Sequence, residues 1–431
     1  MAQDSDSILY LALADARGHL MRAHLVRELL ALSGVGVDIV TTSFEGQRFL
    51  AELGTPSEVL SEHFRVAFGE AHDMDRSRTD ACVLSYVLRP GRGARDLLWL
   101  ERRALTAPFV VCDSLHPALL AAPLLGRPMK VVHVAGENLW QTATDNFEGR
   151  APAWARRAFS SLVAKMGERA FGRITHTLGD RVTSSDPEAR RYVLPPLVAP
   201  ALRTPAAVRQ SLGLSSRDRL AVVYLNPHFH DPRIAKALES AAAAEGFRLY
   251  AVGEGYASRD GWRTTDPRLM DVVRAADVFV SGAGMGALAQ SRLTGTPLIA
   301  LMGDQPEQQK NAAFMAARGE AAFHAIPLAS DSLPLALRLA FAGASVAPRG
   351  PDRTADIARV QSLWTQVFTE LLDLTRKETS DENRRTHPRD EQPSRWQGRK
   401  EPRRGGARAP LRAPRAPVAP ALGARGDHRH A

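Results

Sequence analysis

Three stretches of the chain bring together residue types that can hold a phosphate or move a proton. In Ser281-Gly282-Ala283-Gly284-Met285-Gly286 an apolar run ends in glycines that lead straight into a helical pattern. Such a turn leaves backbone N–H groups free at the positive end of a helix dipole. Glycines there let the backbone approach a diphosphate closely. In Arg17-Gly18-His19 a histidine stands between the first apolar run and the first helical pattern. Its ring titrates near working pH and suits a general base. A third run, Phe109–Cys112, ends on Asp113. A carboxylate in that position can hold an imidazole and stabilise its charged form; it can equally cap the helix that follows.

These residues need elements to place them. Ile8–Ala14 (ILYLALA) is apolar throughout, as a strand covered on both faces should be. A helix is predicted from about Leu20 to Leu32, then strands at Val37–Thr41, Phe109–Cys112 and Lys130–Val134, the last two separated by a helical stretch Pro117–Leu125. The amphipathic basic stretch Ala153–Phe171 follows, with short strands near Ile174–Leu178 and Tyr192–Leu194. Pro195–Pro205 holds four prolines and no periodicity, the mark of a linker. The pattern then restarts with strands at Leu220–Leu225, Phe247–Val252, Val278–Ser281 and Leu298–Met302, and little beyond Met302 reads as strand. Helices are predicted at Arg233–Glu245, from about Pro306, at Ser330–Phe341 and at Thr354–Thr375. Alternating strands and helices imply parallel sheets, and ligands in such sheets bind at the C-terminal strand ends. His19 and Asp113 should therefore share one rim, facing a cleft.

The chain has 431 residues, more than a single core usually holds. Two cysteines, Cys82 and Cys112, are too few for a disulfide framework or a zinc cluster, so a reducing, cytoplasmic setting is expected. The opening MAQDSDS is polar, unlike the start of a signal peptide, and no apolar run approaches the ~20 residues of a membrane span. The net charge of +9 is concentrated in residues 377–431, which carry 14 Lys/Arg against 7 Asp/Glu. That Pro-, Arg- and Gly-rich segment is expected to be a disordered tail, and no nucleic-acid partner is inferred from it.

Asp277–Arg318 resembles the nucleotide-sugar site of the GT-B glycosyltransferase superfamily, both the UDP-glycosyltransferases and the bacterial lipid-linked N-acetylglucosaminyltransferase. Gly295, Pro297, Asp304, Gln305 and Asn311 stand where that pattern has its Gly-x-Pro, its acid–Gln pair and its Asn-containing helix. Gly18-His19 resembles the superfamily's Gly-His loop, and Asp113 with Gly126 and Pro128 its Asp-bearing segment. The resemblance implies an α/β GT-B fold of two Rossmann-like domains facing each other across a cleft. Its division would be an acceptor-binding domain at 1–195, a linker at 196–208, a donor-binding domain at 209–350, a helix crossing back at 351–376 and the tail at 377–431.

It further implies an inverting transferase moving a sugar from a UDP- or dTDP-sugar to a hydroxyl of a small-molecule, lipid or glycan acceptor, with no other cofactor and no metal. His19 would be the base and Asp113 its partner. Gly284, Met285 and Gly286 would hold the diphosphate, and Asp304 and Gln305 the sugar. Two positions depart from the pattern: Gly282 replaces a phosphate-binding histidine, and Gln290 replaces a glutamate that grips the ribose. His228 or His230 could supply a substitute cation. Those departures keep open a non-catalytic GT-B-like binding or regulatory protein, and a GT-B-fold sugar-nucleotide isomerase is a further alternative.

Other features weigh less. Gly282–Ala287 also fits a dinucleotide fingerprint, with Asp304 about twenty residues on, but too few strands follow it for a dinucleotide fold. Asp73 and Asp75 resemble a metal-binding pair and read better as a solvated loop. His116, His133 and His176 lack metal-ligand spacing. The helix at Ala153–Phe171 is read as packing on its own sheet, with peripheral contact to an anionic membrane left open.

Overall fold

The computed structural model describes residues 7–386, apart from 15–16, 61–66, 68–74, 88, 114–115, 123–124, 128, 140–151, 180–183, 304, 319–322 and 329–331. The first sheet comprises β1 (Ile8–Ala12), β2 (Val37–Thr41), β3 (Ser57–Val59), β4 (Val110–Asp113), β5 (Val131–Gly136), β6 (Gly172–His176), β7 (Ser184–Asp186) and β8 (Arg191–Leu194). The second comprises β9 (Arg219–Leu225), β10 (Phe247–Gly253), β11 (Trp262–Arg263), β12 (Val278–Gly282), β13 (Leu298–Met302) and β14 (Phe323–Pro327). Around the first lie helices α1 (Arg17–Ala31), α2 (Phe44–Glu52), α3 (Arg76–Val87), α4 (Pro90–Ala104), α5 (Pro117–Ala121) and α6 (Ala153–Arg169). The rest are α7 (Pro205–Ser211), α8 (Pro232–Ala244), α9 (Leu269–Ala275), α10 (Met285–Thr294), α11 (Pro306–Ala317), α12 (Leu333–Val346) and α13 (Asp356–Thr386). Both sheets lie in one compact unit, Met1–Asp381.

The strand orders explain where a ligand can sit. The first sheet runs β3-β2-β1-β4-β5-β6-β8-β7, with only β7 antiparallel to its neighbour, and the second runs β11-β10-β9-β12-β13-β14. Each chain segment winds outward from its first strand and then crosses to the other side of it. The reversal falls between β1 and β4 in one sheet and between β9 and β12 in the other. Crevices open at such switch points, outside the carboxyl ends of the strands. His19 follows β1, Asp113 ends β4, and the glycine turn follows β12.

Apolar patterning fixes the layers. Ile8, Tyr10 and Ala12 of β1 enter one core with Leu20 and Leu30 of α1, while Leu9 and Leu11 enter another with Leu97 and Leu100 of α4. In the second sheet Val223 and Val280 face Leu238 and Phe341, whereas Val222 and Phe279 face Val273 and Leu288. A sheet buried on both faces is what continuous apolar strands specify.

Three sequence expectations need correction. β14 lies beyond Met302, where no strand was expected; its mixed burial, with Ala325 exposed, hid it from a search for continuous apolar runs. The last helix runs to Thr386, so the segment expected to be disordered from 377 is helical for its first ten residues. There Glu378 pairs with Lys130 at 3.0 Å and with Arg190, which ties the added turns to the first sheet. Residues 387–431 lie outside the described residues. The helix expected at Pro117–Leu125 stops at Ala121.

Helix α13 is anchored by its apolar stripe. Val360, Trp364, Phe368 and Leu371 are buried in the core of the first sheet, and the Trp364 Nε1–H donates to the Pro195 carbonyl at 2.9 Å. Ile357, at its start, is buried with residues of the second sheet. Among the described residues no helix is long and apolar enough to cross a membrane.

Candidate active site

Asp113 is fully buried at the end of β4 and accepts from three side chains. His19 Nδ1 lies 2.8 Å from Oδ1, Tyr10 donates to Oδ2 at 2.8 Å, and Arg22 donates Nε to Oδ2 at 2.7 Å and Nη2 to Oδ1 at 2.8 Å. Asp113 is therefore no helix cap; that place, ahead of α5, is taken by His116, whose Nδ1 accepts from the Ala118 N–H. Burial alone would raise the Asp113 pKa, but Arg22 and His19 hold it below the ordinary carboxylate range. Burial and the adjacent Asp113 charge push the Tyr10 phenol far up, so it remains a donor.

His19 Nδ1 faces both Asp113 Oδ1 and, at 3.1 Å, Arg22 Nη2; the carboxylate is the shorter contact and only accepts, so the tautomer that fits it carries the ring proton on Nδ1. The ring lines the cleft and is 21% exposed. Helix α1 supplies His19 and Arg22 one turn apart, which puts both over the end of β4.

Arg22 continues the network. Its Nη1 lies 2.8 Å from Nε2 of His176, at the end of β6. Arginine only donates, so His176 Nε2 is an acceptor and the ring proton sits on Nδ1. Burial first, and the Arg22 charge second, hold the His176 pKa well below its ordinary value. The neutral ring is thus fixed in one tautomer.

Across the cleft, Gly282 ends β12 and Gly284 is the N-cap of α10, with no side-chain cap on the helix. A Cβ placed at Gly284 or Gly286 would meet nothing within 4 Å, so the turn opens onto free space. Beside Gly282, a Cβ would stand 3.5 Å from Gln308 Oε1, so a glutamine amide occupies the neighbourhood that the superfamily pattern gives to a histidine. Asn311 is buried, and its amide donates to the Ala283 carbonyl at 3.2 Å while accepting from Asn138 at 3.0 Å. It holds the turn in place and ties it to the first sheet. Gly295 is structural: its φ of +66° and a Gly350 carbonyl 2.1 Å from any Cβ admit no side chain.

The cleft has a volume of about 480 Å³ and is lined from both sheets. Of the sequence candidates, His19, Gly282, Gly284, Met285, Gly286, Gln290, Gln305 and His228 line it. Gln305 is the N-cap of α11 and accepts from Gln308 Nε2 at 2.5 Å. Asp304 lies outside the described residues. His228 packs against Phe229 in a tilted arrangement with ring centroids 4.3 Å apart, while His230 is exposed and its Nδ1 lies 2.9 Å from the His228 carbonyl. Arg17 spans the cleft, gripping Glu254 through Nε and Nη2 at 2.6 Å each.

Sequence reading did not assign roles to Tyr10, His176 or Glu307. Glu307, on the first turn of α11, lines the cleft, and burial raises its pKa against the lowering effect of His19 and Arg22. Asp75 accepts from the Arg78 N–H at 2.9 Å, the role of a helix cap, while Asp73 lies outside the described residues. Among the described residues no cluster of three or more His, Cys, Asp or Glu could hold a metal ion.

The fold is shared with solved glycosyltransferases. The glycosyltransferase of kitacinnamycin matches with 17% identity and a TM-score of 0.53, covering 86% of this chain and 98% of that one. VinC in complex with dTDP matches with 16% identity and a TM-score of 0.51, over 86% and 100%. Arabidopsis thaliana UGT89C1 complexed with quercetin matches with 13% identity and a TM-score of 0.53, over 86% and 99%. At these identities the likeness is one of fold, and that fold is GT-B. No protein-family model and no curated protein sequence matches the chain.

Proposed function

We propose that this chain transfers a sugar from a nucleotide-sugar donor to an acceptor hydroxyl, inverting the anomeric carbon. The observation that carries the reading is the His19–Asp113 pair, 2.8 Å apart on the rim of a cleft whose other wall is an open glycine turn at a helix N-terminus. His19 Nε2 takes the acceptor proton as the acceptor oxygen attacks the anomeric carbon. The bond from that carbon to the diphosphate oxygen breaks, and the electron pair leaves with the nucleoside diphosphate. The N–H groups of Gly284, Met285 and Gly286 and the dipole of α10 stabilise the departing charge. Gln305, with Asp304, holds sugar hydroxyls, and Gln290 faces the ribose.

A uridine or thymidine nucleotide fits this reading, and VinC was solved with dTDP. Quercetin, a small molecule with hydroxyls, was bound by the Arabidopsis protein. The acceptor here would enter from the first sheet, as a small molecule, lipid or glycan. No metal is required, since the helix dipole and the turn offset the diphosphate charge. A non-catalytic, partner-binding reading draws on Gly282 and Gln290, which lack the cation and carboxylate of the superfamily pattern.

The test is thermal stability against UDP-, dTDP- and GDP-sugars and the free diphosphates. A ligand bound only to the native state raises the melting temperature. A clear rise with a uridine or thymidine nucleotide supports transfer. No rise at millimolar ligand replaces it with the partner-binding reading.

A further inference from the structure

Two polar groups in the cleft have no role in the reaction as described, and they converge on one point. A Cβ placed on Gly136, at the end of β5, would lie 3.1 Å from Glu307 Oε1, 3.4 Å from His176 Cε1 and 3.7 Å from Met285 Cγ. Gly136 and His176 are register partners on adjacent strands, and both line the cleft with Glu307 and Met285. His176 is 2% exposed and lines the cleft. Its Nδ1 carries the ring proton, because Nε2 accepts from Arg22, yet Nδ1 has no hydrogen-bond partner. Glu307 offers acceptor oxygens from the opposite wall. A buried donor without an acceptor is costly, and a part-buried carboxylate favours a donor.

We propose that Glu307 and His176 form a subsite for one hydroxyl of the transferred sugar, which accepts from the His176 Nδ1–H and donates to the Glu307 carboxylate. A hydroxyl is the small group that does both at once. An ammonium would satisfy Glu307 but meet the His176 N–H and, behind it, the Arg22 guanidinium. A carboxylate or phosphate would satisfy His176 but oppose Glu307. The sugar, rather than the acceptor, supplies the hydroxyl because Met285 borders the same point and opens the turn that holds the diphosphate. A ring attached to that diphosphate reaches the subsite. This assignment rests on the transferase reading and deepens it into a specificity element: a sugar lacking that hydroxyl is rejected.

The test measures binding of UDP-glucose, dTDP-glucose and their monodeoxy analogues, each missing one hydroxyl, to the wild-type chain, Glu307→Leu and Glu307→Gln. In the wild type one deoxy position should weaken binding by about tenfold to a hundredfold, the range for a hydrogen bond to a charged group. In Glu307→Leu that penalty should shrink to within about twofold while the others persist. Glu307→Gln keeps the shape without the charge and should give an intermediate penalty. An unchanged pattern of penalties in both variants overturns the subsite, as does a wild-type affinity for the glucose nucleotides no better than for UDP and dTDP. Binding of UDP and dTDP themselves separates the two readings. If neither binds, the transferase reading fails; if one binds and the deoxy pattern does not depend on Glu307, only the subsite fails.

Discussion

Arg22 holds Asp113 through two parallel bonds, Nε to Oδ2 at 2.7 Å and Nη2 to Oδ1 at 2.8 Å. The carboxylate beneath His19 is thus already neutralised by a guanidinium, with Tyr10 completing its shell. Its part in the pair is to fix the ring and its tautomer more than to add charge. Such a fork is the strong, geometrically specific form of an ion pair.

Removing one partner leaves the other buried and unpaired. Arg22→Ala should therefore cost about 3–5 kcal/mol of stability, read by urea denaturation. Arg22→Lys keeps the charge but cannot make the fork, and should fall between the two. A cost for Arg22→Ala near that of an exposed ion pair, under about 1 kcal/mol, would contradict the assignment.

Two glycines of one motif should respond in opposite ways. Gly295→Ala places a side chain at a φ of +66° against the Gly350 carbonyl, and should cost about 3 kcal/mol or more. Gly284→Asp meets open space and gives α10 the side-chain cap it lacks, so stability should hold or rise. The same carboxylate stands where the diphosphate would bind, so the nucleotide-induced rise in melting temperature should vanish. Thermal scans of both variants, with and without dTDP, check the pair of outcomes.

Stability should depend on pH below neutrality. Burial and the nearby Arg173 push the His133 pKa down to about 4, and burial with Arg22 holds His176 well below its ordinary value. The unfolded histidines titrate near 6.5, so between these values the unfolded chain binds more protons. Stability from these groups is full above about pH 6.5 and falls as the pH drops toward 4. Asp113 has a depressed pKa, so its contribution persists across that window and is lost only at lower pH. Glu307, with a raised pKa, acts in the opposite sense, favouring the fold as the pH falls. The melting temperature measured from pH 7 to 4 should therefore decline, more steeply in Glu307→Gln and less in His133→Leu. A flat profile would contradict the buried, neutral histidines.

How much was legible beforehand follows from what each residue shows locally. β1, β4, β5, β9, β12 and β13 announce themselves because both faces are buried and every position is apolar or nearly so. β3, β11 and β14 are short or mixed strands with exposed residues, which resemble loops. His19 and Asp113 could be paired because both lie at strand ends beside a topological switch. Arg22 could not be placed: an arginine inside a helix reads as a solvent-facing residue, and nothing local points it at a carboxylate 91 positions away. His176 needs the register between β5 and β6 to meet Gly136. Glu307 sits on the first turn of a helix, where an acid is usual for the dipole alone. Only the fold turns it toward the cleft.

The central claim is that His19 takes a proton from an acceptor in this cleft. It is tested most directly by measuring nucleoside diphosphate released from UDP- and dTDP-sugars in the presence of hydroxyl acceptors such as quercetin, with wild type and His19→Ala compared. The expected result is acceptor-dependent release by the wild type and a fall of about a hundredfold to ten-thousandfold in the variant. The melting temperature should stay nearly unchanged, because Asp113 keeps Arg22 and Tyr10. Release by His19→Ala at the wild-type rate would contradict the account.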